Sequence, residues 1–252
     1  MDGSSVSRRS VLWACATAAV LIPGTAENAG TGAAPAPGED LAEGTLIQVP
    51  ELNRAMTYDS RIGDSAVVIG DSQTGPETWV ARGLDALGYR TVLRGAGGTG
   101  YIRGTQRVGS YHQALTRQQW LLPWGHPRLV ILQGGGNDVD RATEAELARA
   151  VEQMIGEMRR TYPQTQLVMV GVISSGPGAG LGGRRFAADQ LVAGVAAEQE
   201  VPFLSVGDWW TRLGLEQFLQ PDGIHFTPEG HREAGRVFAR ELGSMLASGT
   251  AG

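Results

Sequence analysis

Between Val67 and Trp79 the chain reads VVIGDSQTGPETW, an apolar run that stops on Gly70, Asp71 and Ser72. Gly, Asp and Ser are ordinary turn residues, so a plain loop start is one reading. The other is a serine nucleophile held at the tip of a strand. Such a serine needs a base, and the base needs an orienting group. The histidines available are His112, His126, His225 and His231. His225 follows Asp222 in the tetrapeptide DGIH, and Gly223 permits a tight turn between them. Asp222 can then orient one imidazole nitrogen while the other faces Ser72. The order Ser, Asp, His occurs among hydrolases that use this chemistry. A surface turn is the alternative for so short a motif. His231 comes after Pro228 within an expected helix, so it should point away from Ser72, and His126 follows Gly125 in a loop.

Acyl transfer places negative charge on a carbonyl oxygen, which fixed amide donors stabilise. Two glycine-rich runs can supply them: RGAGGTGY (Arg94 to Tyr101) and QGGGND (Gln133 to Asp138). Asn137 offers a side-chain amide, and a glycine near position 98 offers an unobstructed backbone N–H. RGAGGTGY also reads as a flexible loop or a phosphate cradle. A nucleotide loop would want a Lys-Ser/Thr ending or a Rossmann spacing that runs directly into a helix. Neither is present.

These residues need elements that bring them to one place. SAVVIG (Ser65 to Gly70) suits a buried parallel strand. Further strands are expected over Tyr89 to Gly95, Arg128 to Gly134, Gln166 to Ser174 and Val201 to Gly207. Helical spacing runs from Thr78 to Gly88, from Gln113 to Leu122 and from Phe186 to Glu198. Thr143 and Glu146 have capping-box spacing ahead of the stripe Leu147, Val151, Met154, Ile155 and Met158, which ends on Arg159-Arg160. Thr227-Pro228 opens a last helix to about Leu246. Alternating strands and helices predict an α/β fold, a parallel sheet with helices on both faces. Ligand sites in such sheets lie beyond the carboxyl ends of the strands, where all of the polar and glycine-rich blocks fall.

The bulk properties bound the function. The chain has 252 residues, 21 basic and 26 acidic, for a net charge of -5. That argues against a nucleic-acid partner, whose footprint is a basic patch. Arg8-Arg9 followed by the apolar run Val11 to Ile22 reads as an export signal. Ser7 to Leu12 resembles the twin-arginine pattern, which implies a secreted or cell-envelope protein. The run is too short and interrupted for a comfortable membrane span, so no stable membrane insertion is expected after processing. Residues 1–36 are read as signal and processed leader, with a small-x-small end at Ala34-Pro35-Ala36 or an earlier one at Ala29. Gly24 to Gly44 is rich in Ala, Gly, Pro and Thr and cannot build a core; residues 37–55 are read as a flexible lead-in and 56–250 as one domain. Folding should begin somewhere between residues 45 and 60. Cys15, the only cysteine, lies in the leader, so the mature chain would have no disulfide.

Four blocks in order resemble those of the SGNH hydrolases, the GDSL esterase and lipase superfamily. They are Gly70-Asp71-Ser72, a glycine within Gly95 to Gly100, Gly135-Gly136-Asn137-Asp138 and Asp222-Gly223-Ile224-His225, spanning roughly residues 65–245. The resemblance implies a three-layer α/β/α sandwich of flavodoxin type. It implies that Ser72 attacks the acyl carbon, His225 is the general base and then the acid, and Asp222 supports it. It implies an oxyanion hole made of the Ser72 and Gly98 backbone N–H groups and the Asn137 side chain. No metal or organic cofactor is implied.

The match departs from the family pattern in two places. Gln73 stands where the namesake block has leucine, which weakens a specific lipase reading. The glycine block lacks the Asn often found upstream, so the choice of Gly98 rests on GGTGY, and Gly100 stays open. The expected activity is hydrolysis of short- to medium-chain carboxylic esters through an acyl-enzyme. The alternatives are a carbohydrate O-acetyl esterase or an inactive binding domain. The substrate would be a small-molecule or polysaccharide ester. Gly100, Tyr101, Trp209 and Trp210 are candidate rim residues, although two buried core tryptophans read equally well. SSGPGAGLGGRR (Ser174 to Arg185) should border the site.

Overall fold

Every residue of SAVVIG is buried, and its side chains alternate between two cores. Val67 and Ile69 pack on one face of the sheet, Ala66 and Val68 on the other. That alternation is what a strand covered on both faces requires. A computed structural model describes residues 41–174 and 183–249 and places this strand near the middle of a five-stranded parallel sheet. We number the elements β1 (Leu46–Val49), β2 (Arg54–Thr57), β3 (Ser65–Gly70), β4 (Arg90–Gly95), β5 (Leu129–Gln133), β6 (Gln166–Val170) and β7 (Phe203–Leu204). The helices are α1 (Trp79–Ala86), α2 (Tyr111–Thr116), α3 (Glu144–Thr161), α4 (Arg184–Glu198), α5 (Trp209–Leu213) and α6 (Pro228–Gly249).

The sheet order is β4-β3-β5-β6-β7, all parallel. Counting only its own strands, that is 2-1-3-4-5, the flavodoxin-like doubly wound order. Residues of α2, α3 and α4 build the core that holds Val67 and Ile69. Residues of α1, α5 and α6 build the core on the opposite face. The chain order reverses between β3 and β5, so a crevice is expected at their carboxyl ends. Ser72 follows β3 and Asn137 follows β5, so both lie at that switch point.

The expected elements appear, with informative differences at their ends. The box at α3 is reciprocal: the Thr143 N–H donates to Glu146 Oε2 at 2.8 Å, and the Glu146 N–H donates to Thr143 Oγ1 at 3.3 Å. α2 starts earlier than expected because Ser110 and Gln113 form a second capping box. It stops by Arg117, and the next residue, Gln118, has φ +55°. β6 ends at Val170 rather than Ser174, because the Val172 N–H donates to the buried Asp189 carboxylate at 2.8 Å instead of to a strand. β7 is shorter than Val201 to Gly207, since Pro202 at its start has no N–H for a ladder.

One boundary needs correction. Residues 46–55, read as part of a flexible lead-in, belong to the folded body. β1 and β2 pair as an antiparallel hairpin, with Ile47, Ala55 and Met56 buried. Arg54 donates to Glu157 Oε1 of α3 at 2.6 Å and also hydrogen-bonds Thr161. Breaking such a buried pair by removing one partner costs about 3–5 kcal/mol, so the hairpin is well anchored. The leader, Cys15 and both cleavage positions lie outside the described residues. Among the described residues, no helix is long and apolar enough to cross a membrane.

Candidate active site

β3 delivers Ser72 through a sharp stop. Asp71 caps a single 3-10 turn, Ser72–Thr74, by accepting the Gln73 N–H at 2.9 Å. The turn redirects the chain and leaves Ser72 half-buried at the sheet's carboxyl edge. From the far end of the sequence, Asp222 accepts the N–H groups of Ile224 at 2.9 Å and His225 at 3.0 Å on Oδ1. This Asx-type turn aims the imidazole. His225 Nδ1 lies 2.7 Å from Asp222 Oδ2, and His225 Nε2 lies 2.7 Å from Ser72 Oγ. Partial desolvation would raise the Asp222 carboxyl. The hydrogen bonds from the His225 backbone and ring and from Ile224 outweigh it, and the net shift is downward.

Gly98 has φ +78°, which favours glycine, and a Cβ there would meet nothing closer than Thr105 Cγ2 at 3.7 Å. The next glycine upstream, Gly97, lies beside the nucleophile: a Cβ on it would sit 3.8 Å from Ser72 Cβ. Among the described residues, the backbone N–H groups of Ser72 and Gly98 donate to no protein acceptor. Gly100 differs, because its N–H donates to the Arg103 carbonyl at 2.8 Å. Asn137 is half-buried; its Nδ2 donates to the Thr99 carbonyl at 2.9 Å and more loosely to Asp71 Oδ2 at 3.4 Å.

Three residues to which the sequence reading gave no role in the site hold these pieces together. Gln73, at the departure from the namesake block, is buried. Its Oε1 accepts the Trp79 indole N–H at 2.9 Å, and its Nε2 donates to the Ile224 carbonyl at 3.4 Å. A leucine there could make neither bond. Asp138, the last residue of GGND, accepts the backbone N–H groups of Tyr101 and Ile102 at 3.0 Å and of Arg103 at 2.8 Å. It fastens the loop after β4 to the loop after β5. Arg185, near the start of α4, donates to the Gly136 and Ile173 carbonyls. Burial pushes the Asp138 carboxyl up, and the three amides pull it back only in part. Burial also pushes Asp71 up, opposed by the Gln73 amide and the charges of Arg185 and His225.

The expected rim residues are corrected. Trp209 and Trp210 are fully buried core residues. Trp209 packs edge-on to Trp79 at 5.3 Å, and Trp210 lies 4.5 Å from Phe226. The Trp210 indole donates to the Ser174 carbonyl. Tyr101 is buried against Tyr111 at 5.1 Å between ring centres. Gly100 is buried against Asp138, where a Cβ would fall 2.3 Å from Oδ2. All four face the interior because the turn at 100–103 folds over Asp138 and the α5 helix packs inward. Of SSGPGAGLGGRR, residues 175–182 lie outside the described residues. His231 is half-buried in α6, and its Nδ1 accepts the Trp79 N–H at 3.2 Å rather than approaching Ser72.

A cleft of about 290 Å³ opens beside Asn137, lined by Arg103, Val139, Asp140, Arg184 and Ile224 among others. Arg184 and Asp140 are ion-paired across it.

The family model of GDSL-like lipases/acylhydrolases matches residues 62–233. Solved structures share the fold at low identity. An inhibitor-bound aryl esterase of M. smegmatis is 18% identical, with a TM-score of 0.52, and the match covers 71% of this chain and 99% of that one. A carbohydrate acetylesterase from Sinorhizobium meliloti is 17% identical, with a TM-score of 0.52 and coverage of 72% and 99%. A family two carbohydrate esterase from Clostridium thermocellum, an active-site mutant, is 14% identical, with a TM-score of 0.58 and coverage of 77% and 67%. Comparison with curated proteins finds no match.

Proposed function

The chain belongs to the GDSL-like lipase/acylhydrolase family, and from that premise we propose that it is a serine carboxylic-ester hydrolase working through an acyl-enzyme. The observation that carries this reading is the relay: Ser72 Oγ to His225 Nε2 at 2.7 Å and His225 Nδ1 to Asp222 Oδ2 at 2.7 Å. Ser72 Oγ attacks the acyl carbon as His225 Nε2 takes its proton. Asp222 holds the opposite nitrogen and stabilises the imidazolium. The developing oxyanion takes the N–H groups of Ser72 and Gly98, which donate to no acceptor among the described residues. It also draws one proton of the Asn137 amide from its loose contact with Asp71. His225 then protonates the leaving alcohol. Water, losing its proton to His225, attacks the acyl-enzyme; His225 returns that proton to Ser72 Oγ as the carboxylic acid leaves.

The engaged Gly100 N–H favours Gly98 as the backbone donor. The cleft beside Asn137 carries the charged side chains of Arg103, Asp140, Arg184 and Arg185, which favours a polar substrate over long apolar chains. Its charged lining also supports the second reading, a carbohydrate O-acetyl esterase, because sugar hydroxyls need polar partners. The twin-arginine-like leader supports export of the folded protein to the cell envelope or beyond, where such polymers would be met.

The test is covalent titration with a serine-directed organophosphonate. It is paired with turnover on p-nitrophenyl esters from acetate to palmitate, beside acetylated xylan and a phospholipid. Stoichiometric labelling of Ser72 with fastest turnover on acetate is expected. Labelling elsewhere, or none, would refute the nucleophile and favour a binding domain of the same fold.

A further inference from the structure

Arg184 and Arg185 open α4, although the positive end of a helix dipole disfavours cations. Arg184 is held by Asp140. Arg185 turns inward instead. Its Nη1 donates to the Gly136 carbonyl at 2.8 Å and its Nε donates to the Ile173 carbonyl at 2.9 Å. A Cβ on Gly136 would run into the Arg185 guanidinium, so a side chain there would push the arginine out of its present place. The Gly136 carbonyl belongs to the peptide bond that joins Gly136 to Asn137. The same cation also favours the ionised form of Asp71, which precedes Ser72. Asp71 in turn caps the nucleophile's turn with one oxygen and faces the Asn137 amide with the other.

Resting on the esterase reading above, we propose that Arg185 is a positioning residue: it fixes the 136–137 peptide so that the Asn137 amide meets the oxyanion formed at Ser72. A rigid planar fork can bind two carbonyls on different strand ends at once, and a lysine ammonium cannot hold the same pair in one plane. Asn137 serves the tetrahedral state more than the planar ester, so its misplacement lowers kcat and spares KM. The role differs from plain structural support, which would lower the amount of active enzyme and leave its kcat per site unchanged.

The test compares wild type, Arg185→Ala and Arg185→Lys with p-nitrophenyl acetate, each normalised to organophosphonate-titrated sites. Arg185→Ala should lose on the order of tenfold to a hundredfold in kcat per titrated site, with KM held within about twofold, as small misplacements do. Ethylguanidinium added to Arg185→Ala should restore part of that loss. Arg185→Lys should fall between the two. A kcat per site equal to wild type in Arg185→Ala, or a rise in KM without a fall in kcat, overturns the proposal. If Arg185→Ala does not fold, Arg185→Lys decides: wild-type kcat per site there overturns it equally. Failure of wild type to be labelled or to turn over any ester would refute the esterase reading itself, and is thereby distinct from a failure confined to the Arg185 variants.

Discussion

The two walls of the site are built in opposite ways. On one side, Asp222 and His225 are three residues apart, and one turn sets their geometry through the hydrogen bonds of Ile224 and His225 to a single carboxylate. Both are open to water, with side chains 47% and 34% exposed. On the other side, Asn137 is held by Thr99 and Asp71, the 101–103 loop by Asp138, and Gly136 by Arg185, all across distant parts of the sequence. Asp71 and Asp138 are buried. A short polar turn can aim a base while solvated, because only two groups need to agree. Amide donors that await a transient charge must be fixed beforehand by several elements, and that calls for buried, fully bonded polar groups.

The relay side should break abruptly. Ser72→Ala removes the nucleophile and His225→Ala the proton acceptor, and each is expected to cost several orders of magnitude in turnover while folding is retained. Activity of Ser72→Ala within about tenfold of wild type on p-nitrophenyl acetate would contradict the assignment. The amide side should break by degrees. Asn137→Ala removes one donor and should slow kcat by about a hundredfold or more, equivalent to roughly 3 kcal/mol. A wild-type rate would remove Asn137 from the oxyanion wall.

Asp138→Ala sharpens the contrast further, because its effect should appear in stability as well as rate. It strands the buried N–H of Tyr101 and the half-buried N–H groups of Ile102 and Arg103. Leaving such donors unmet costs on the order of 1–3 kcal/mol. For a domain of this size that is several degrees in Tm by calorimetry. Asp222→Ala, on the solvated side, should move Tm little. Equal losses in the two variants would erase the distinction between the walls.

The same contrast explains what the sequence disclosed. The five strands of the sheet and the strand-end blocks were legible because buried strands are apolar runs and turns are glycine-rich. The DGIH turn was legible because its geometry is local. The supports of the amide wall were not, since no spacing rule links Arg185 to Gly136 or Asp138 to Arg103. A faint signal existed in the paired arginines at the start of α4, which run against the helix dipole and so imply outside acceptors. The tryptophans were ambiguous for a plain reason: aromatic rings serve cores and rims alike, and only the inward packing of α5 decides. The hairpin of β1 and β2 was missed because each strand has four residues, too few for an alternation to stand out beside an Ala/Gly/Pro tract.

The smallest expected effect on turnover is that of His231→Ala, and it separates the base from its neighbour. His231 Nδ1 accepts the N–H of Trp79, the first residue of α1, so the ring caps a helix as a neutral group. Nδ1 as acceptor requires the tautomer protonated on Nε2. Burial pushes its pKa from 6.5 down to about 4, aided by the charges of His225 and Arg82. In the unfolded chain the ring protonates near 6.5, so the folded state binds fewer protons between those values. The cap's contribution is therefore complete above pH 6.5 and is lost as pH falls toward about 4. Loss of a cap costs about 1 kcal/mol, so His231→Ala should lower Tm by a few degrees at pH 7.5. Near pH 5 the gap to wild type should narrow, because wild type has by then lost part of the same contribution. At pH 7.5 its kcat should stay within about twofold of wild type, as expected for a group that never handles the transferred proton. If His231→Ala proves as damaging to turnover as His225→Ala while both remain folded, the base has been misassigned. A Tm gap that widens toward pH 5 would instead show that the ring is charged, not neutral, against α1.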